Sequence, residues 1–252
     1  MNLRLLYFLI AATLLLLHGS TEAAEIRIAV ASNFSTAMKA LTEQFERETK
    51  DRVLMSSGST GKHYAQILNG APFDAFFAAD SQRPRLLEQA GNIVARSRFT
   101  YARGRLVLWS PRPAYVDLQA KVLEDDSFRH LAIANPRLAP YGEAARQVLQ
   151  DLGLWEHLTP RLVRGENIGQ AFQFVRSGNA ELGFVAWSQL IGAGLSDTGS
   201  FWLVPESMYS PVDQQAVQLT ENAAAGSFLA FVRSAAGRQI ISEHGYDLPD
   251  AD

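Results

Sequence analysis

The sequence predicts an α/β fold in two lobes joined by a hinge. Three observations lead there. Short apolar runs of strand character alternate with amphipathic runs of helical character. The alternation stops at a long β-like run, "FTYARGRLVLWS" (99–110), and then restarts. A second extended run, "YSPVDQQAVQL" (209–219), precedes two closing helices, as a chain that crosses twice between lobes requires. One larger sheet is the alternative arrangement of the same elements.

"EIRIAVA" (25–31) alternates and then turns apolar, like a strand entering a buried sheet. Phe34, Met38, Leu41 and Phe45 recur at helical spacing behind it. "RVLMSS" reads as the second strand and "KHYAQILNG" as the second helix, stopped by Gly70. "FDAFFAA" is a third strand, and "SQRPRLLEQAG" a helix with Ser81 placed to cap it. Short loops between alternating elements argue for a mainly parallel sheet. Past the long run, "RHLAIANP", "RLVRG" and "AELGFVAW" read as strands, and "YGEAARQVLQDLG" and "ENIGQAFQFVRSG" as helices. "NAAAGSFLAFVRSA" and "AGRQIISEHG" close the chain. The lobes divide as 24–101 with 209–252, and 102–208.

The segment before the first strand is a leader. Arg4 precedes an uncharged apolar run, Leu5 to Leu17, and Thr21 and Ala23 stand where a signal peptidase cuts. The run is short for a membrane span, which needs about 20 residues. Residues 1–23 are therefore expected to be a signal peptide, the alternative being an uncleaved anchor. There is no cysteine, which excludes a lipid anchor built on one and leaves stability to the core alone. A soluble periplasmic protein is the expectation. The net charge of −3, without a basic run, argues against nucleic acid as a partner.

"SSGSTGK" (56–62) invites comparison with a phosphate-binding P-loop and fails it. Ser56 stands where that motif needs its first glycine, and His63 follows Lys62. What remains is a strand, a small loop and a helix start, where unpaired N–H groups and a partial positive charge suit an anion. Gly58 and Gly61 let the backbone approach, and Ser59 and Thr60 add hydroxyls. Taken alone, such a loop reads better as ordinary helix capping by Ser or Thr. The arrangement recurs, however: Ser32 and Asn33, then Pro140, Tyr141 and Gly142, then Glu166, Asn167, Ile168 and Gly169 each lie between a strand and a helix. Ligands of open α/β sheets bind at such strand ends, so four junctions, two per lobe, point to one small anion in a cleft.

The other candidates are assigned elsewhere. Arg103 and Arg105 read as surface or hinge charges, and the four tryptophans (109, 155, 187, 202) as core or rim. Asp74, Asp80 and Glu166 would repel an anion and are assigned to caps or hinge contacts. The histidines lack metal-ligand spacing. No G-x-S-x-G or Ser–His–Asp grouping is present, so an enzyme is not expected.

"SSGSTGKHYAQILNGAPFDAFFAAD", "FTYARGRLVLW", "IANPRLAPYGEAA", "GENIGQAFQFVRSGNAELGFVA" and "YSPVDQQAV" together resemble the ModA family of periplasmic molybdate-binding proteins, in the same order across about 25–248. The resemblance implies a type II periplasmic-binding-protein fold whose two lobes close over molybdate or tungstate. It implies no cofactor and no catalysis, a monomer, and delivery of the anion to the membrane permease of an ABC transporter. The metal enters only as the centre of the oxyanion. Carried onto this sequence, the donors fall on Ser32 and Asn33, on Thr60 with Ser59 adjacent, and on the backbone amides of Tyr141 and Ile168. Some members place a tyrosine after the "GFV" strand. Ala186 stands there, so that contact is absent or replaced, with Asn33 as the compensating residue. Glu166 is the single hint of the carboxylate-completed metal centre found in some archaeal relatives. Sulfate or another tetrahedral oxyanion is the alternative ligand, and an exported phosphate-ester hydrolase the alternative of another class.

Overall fold

The computed structural model describes residues 23–125 and 127–249. The expected leader, 1–23, lies outside them except for Ala23. Among the described residues, ten strands form two five-stranded sheets. The first holds β1 (Glu25–Ala31), β2 (Arg52–Gly58), β3 (Ala75–Ala78), β4 (Phe99–Gly104) and β10 (Val212–Gln218), in the order β2-β1-β3-β10-β4. The second holds β5 (Leu106–Ser110), β6 (Leu131–Ala134), β7 (Leu162–Gly165), β8 (Leu182–Ala186) and β9 (Ser200–Leu203), in the order β7-β6-β8-β5-β9. Around them lie α1 (Ser35–Thr49), α2 (Thr60–Leu68), α3 (Gln82–Gln89), α4 (Pro140–Asp151), α5 (Trp155–Leu158), α6 (Ile168–Arg176), α7 (Trp187–Gly192), α8 (Ala223–Arg233) and α9 (Ala235–Glu243).

The sheets are mixed rather than mainly parallel. β1 runs parallel to β2 and β3, but β10 runs against β3 and β4. In the second sheet β6 is parallel to β7 and β8, while β5 runs against β8 and β9. Direction follows from the crossings. Strands such as β1, β2, β6 and β7 end where the sheets face each other. β5 and β10 begin there, because the chain has just crossed, so they run the opposite way. The single β-like run 99–110 divides at Arg105 into β4 and β5. β9, only four residues between turns, has no counterpart among the strands expected from sequence.

The core follows the helical spacing. Phe34, Met38, Leu41 and Phe45 are all buried against the first sheet. Burying a side chain of this size contributes roughly 1.5–3 kcal/mol. Phe34 also packs its ring against Tyr101, with centroids 4.6 Å apart, and Tyr246, at 5.1 Å, which fixes the turn between β1 and α1. Leu106, Leu108, Ile133 and Phe184 of the second sheet bury against Ala145, Val148 and Leu149 of α4. Gly70 ends α2 with a φ of 79°, a left-handed conformation suited to glycine. Ser81 precedes α3 but makes no side-chain cap; Asp80 accepts the Arg83 N–H in its place, at 2.9 Å.

Candidate functional site

Three of the four junctions are helix starts with strong local reasons. Ser59 precedes α2, and its Oγ accepts the Lys62 N–H at 3.3 Å. Asn167 precedes α6, and its Oδ1 accepts the Gln170 N–H at 3.0 Å. Pro140 is the first residue of α4, where its missing N–H costs nothing. The fourth junction is a single 3₁₀ turn, Ser32–Phe34, before α1. Thr60 and Ile168 are therefore first residues of their helices and Tyr141 a second residue, where backbone N–H groups have no intrahelical acceptor.

All four junctions meet around one small pocket between the lobes. Ser32, Asn33, Ser59, Thr60, Tyr141 and Ile168, the six residues expected from sequence, all line it. The rest of its wall is Gly58, Asn167 and small apolar residues, with no Lys, Arg, His, Asp or Glu. Gly61 N–H reaches across to Leu138 O at 2.9 Å, and a Cβ at Gly61 would press on that carbonyl. Gly169 N–H donates to Ser32 Oγ at 3.1 Å, a second bond between the lobes.

The three hydroxyls share one arrangement. Ser32 Oγ accepts Gly169 N–H, Ser59 Oγ accepts Lys62 N–H, and Thr60 Oγ1 accepts Ala79 N–H at 3.0 Å. A hydroxyl that accepts from an amide keeps its proton for another acceptor. None of the three donates to a protein group among the described residues. Each is thereby prepared as a donor.

Asn33 differs. Its Nδ2 donates to Gln214 Oε1 at 2.8 Å and to Tyr246 Oη at 3.1 Å, and its Oδ1 is buried without a partner. These bonds belong to a buried polar network at the crossing. Tyr246 Oη donates to Asn33 O at 2.8 Å, Tyr101 Oη to Gln214 Oε1 at 3.1 Å, and Gln214 Nε2 to Tyr141 Oη at 3.4 Å. Burial raises the Tyr101, Tyr141 and Tyr246 hydroxyls well above the usual phenol range, so all three stay protonated. A Cβ at Gly104 would collide with the Tyr141 hydroxyl, which explains a glycine where the chain crosses. Nothing in the local pattern of Gln214, Tyr101 or Tyr246 marks them, because the network joins residues 73 to 213 positions apart.

The remaining charged candidates stand outside the cavity. Asp74 accepts Arg27 N–H at 2.8 Å and the Thr220 hydroxyl at 2.6 Å, Asp80 pairs with Arg83, and Glu166 pairs with Lys62 at 2.6 Å. Arg103 and Arg105 pair with Asp213 and Asp247, each at 2.7 Å. Trp109 is core. Ala186 is fully buried and does not line the cavity.

Residues 26–247 match the family model described as bacterial extracellular solute-binding protein. The chain is 50% identical over 236 residues to the molybdate-binding protein ModA of Azotobacter vinelandii, covering 92% of this chain and 94% of that one. It is 45% identical over 227 residues to ModA of Rhodobacter capsulatus, covering 89% and 88%. The solved periplasmic molybdate-binding protein of Azotobacter vinelandii superposes with a TM-score of 0.86 at 44% identity, covering 89% of this chain and all of that one. The chain therefore belongs to the bacterial extracellular solute-binding proteins and, within them, to the ModA family.

Proposed function

We propose that the chain is a periplasmic receptor that traps molybdate, or its tetrahedral congener tungstate, between its lobes and delivers it to the membrane permease of an ABC transporter. Ser32, Ser59 and Thr60 through their hydroxyls, and Asn33, Tyr141 and Ile168 through their backbone N–H groups, hold the oxyanion, and no cofactor takes part; the Asn33 side chain stays in its bonds to Gln214 and Tyr246. The observation that carries this reading is a pocket between the lobes walled by hydroxyls and helix N-termini and by no charged side chain.

A buried dianion loses a large hydration free energy, which well-aimed donors must offset. A hydrogen bond to a charged group contributes roughly 1.5–3 kcal/mol, so six such donors reach useful affinity after the costs of ordering and closure. Uncharged donors also discriminate. A protonated oxyanion would direct its proton at another donor, which disfavours phosphate near neutral pH. Sulfate is rejected by size instead. Because the donors come from both lobes, only the closed form offers them together, and binding shifts the population toward closure. Closure in turn marks the loaded receptor for the permease. Residues 1–23 direct export, and the mature chain acts as a monomer.

Thermal melting tests the proposal. Ligand at a thousand times its dissociation constant adds about 4 kcal/mol. Molybdate and tungstate should raise the melting temperature strongly and phosphate hardly at all. Equal shifts with sulfate would reduce the reading to a general oxyanion receptor, and no shift with molybdate would refute it.

A further inference from the structure

Lys62 and Glu166 join the two lobes at the rim of the cavity. Nζ and Oε2 lie 2.6 Å apart across 104 positions of sequence. Lys62 stands in the first turn of α2, two residues after Thr60, and Glu166 two residues before Ile168. Neither lines the cavity, and both side chains are half-exposed. A lysine in a first turn opposes the helix dipole, which favours an anion there, so local helix stability does not account for it. Both residues are rooted on the turns that present the donors. Lys62 N–H donates to Ser59 Oγ, and Glu166 N–H donates to Gln170 Oε1 at 2.8 Å.

We propose that this ion pair is an interlobe clasp: it holds the closed, loaded form and sets how fast the oxyanion leaves, without choosing which oxyanion binds. The inference rests on the receptor reading above. The pair spans the lobes, so opening separates the charges. Closing brings them together and cancels the Lys62 charge, which keeps the surroundings of the trapped dianion neutral. Being half-exposed, the clasp is modest in strength and screened by salt.

The test is stopped-flow displacement of molybdate from the mature chain, comparing wild type, Lys62→Met, Glu166→Gln and the reversed pair Lys62→Glu/Glu166→Lys, at low and high salt. Each single variant should speed dissociation about two- to fivefold at low salt and less at high salt. The reversed pair should recover the wild-type rate, and the ratio of molybdate to sulfate affinity should be the same in all four. Unchanged single variants, or a reversed pair as fast as either single, would overturn the clasp. A selectivity change confined to Lys62→Met would also overturn it, by placing the ammonium on the anion. If wild type fails to bind molybdate, the receptor reading is what falls. The clasp is then read from small-angle scattering of the ligand-free chain, where the single variants should be more open than wild type and equal dimensions would overturn it.

Discussion

Replacing Ile168 with proline isolates one backbone donor. Ile168 is the first residue of α6, a position where proline fits the helix and removes only an N–H that the helix does not use. The preceding residue, Asn167, has φ −144° and ψ 171°, an extended conformation that a following proline permits. The Asn167 cap to Gln170 N–H is left in place. Proline also loses apolar volume at a buried position, and Ile168→Val controls for that loss. A hydrogen bond to a charged acceptor contributes roughly 1.5–3 kcal/mol. The proline variant should therefore bind molybdate about ten- to 150-fold more weakly, and the valine variant within about threefold of wild type. Titration calorimetry reads both, and ligand-free melting curves confirm that each folds. Equal affinities for the two variants would refute the assignment of the Ile168 amide.

Thr60→Val removes the hydroxyl that accepts Ala79 N–H and keeps the shape. Molybdate affinity should fall at least tenfold, and stability by about 1–3 kcal/mol for the stranded amide, both measurable in one urea series with and without ligand. Gly104→Ala drives a methyl into the Tyr141 hydroxyl, and should destabilise the chain by about 1–3 kcal/mol in denaturant unfolding; an unchanged midpoint would contradict the packing at the crossing. Burial lowers the pKa of His63 below the ordinary 6.5. The unfolded chain therefore takes up this proton first. Its stabilising contribution is complete above about pH 6.5 and is lost as pH falls through the folded value. Wild type should lose stability on acidification relative to His63→Phe, by at most about 1.4 kcal/mol per pH unit from this group, and parallel pH profiles would refute it.

Much of the first lobe was legible because its signals are local. The spacing of Phe34, Met38, Leu41 and Phe45 marks one buried helix face, and all four side chains are buried. Strand-to-helix junctions are marked by small polar residues in either lobe, which is why Ser59 and Asn167 could be placed at helix starts from sequence. Strand direction was not legible. Whether β5 and β10 run with or against their neighbours depends on where the chain crosses, which no local pattern encodes. The division of 99–110 at Arg105 was hidden for the same reason: residues on both sides favour strand, and the break falls where the chain passes from one sheet to the other. Within the site, residue types at the junctions pointed to donors. The engagement of Asn33 Nδ2 by Gln214 and Tyr246 depends on contacts across 181 and 213 positions.

The account stands or falls on uncharged protein dipoles holding a buried dianion. A crystal structure of the molybdate complex, with the metal located by its anomalous scattering, tests this most directly. The account predicts the metal between the four junctions, with its oxygens in hydrogen-bond range of the Ser32 and Thr60 hydroxyls and of the Tyr141 and Ile168 amides. Molybdate held by a lysine, an arginine or a bound cation, or seated outside the cavity, would contradict it.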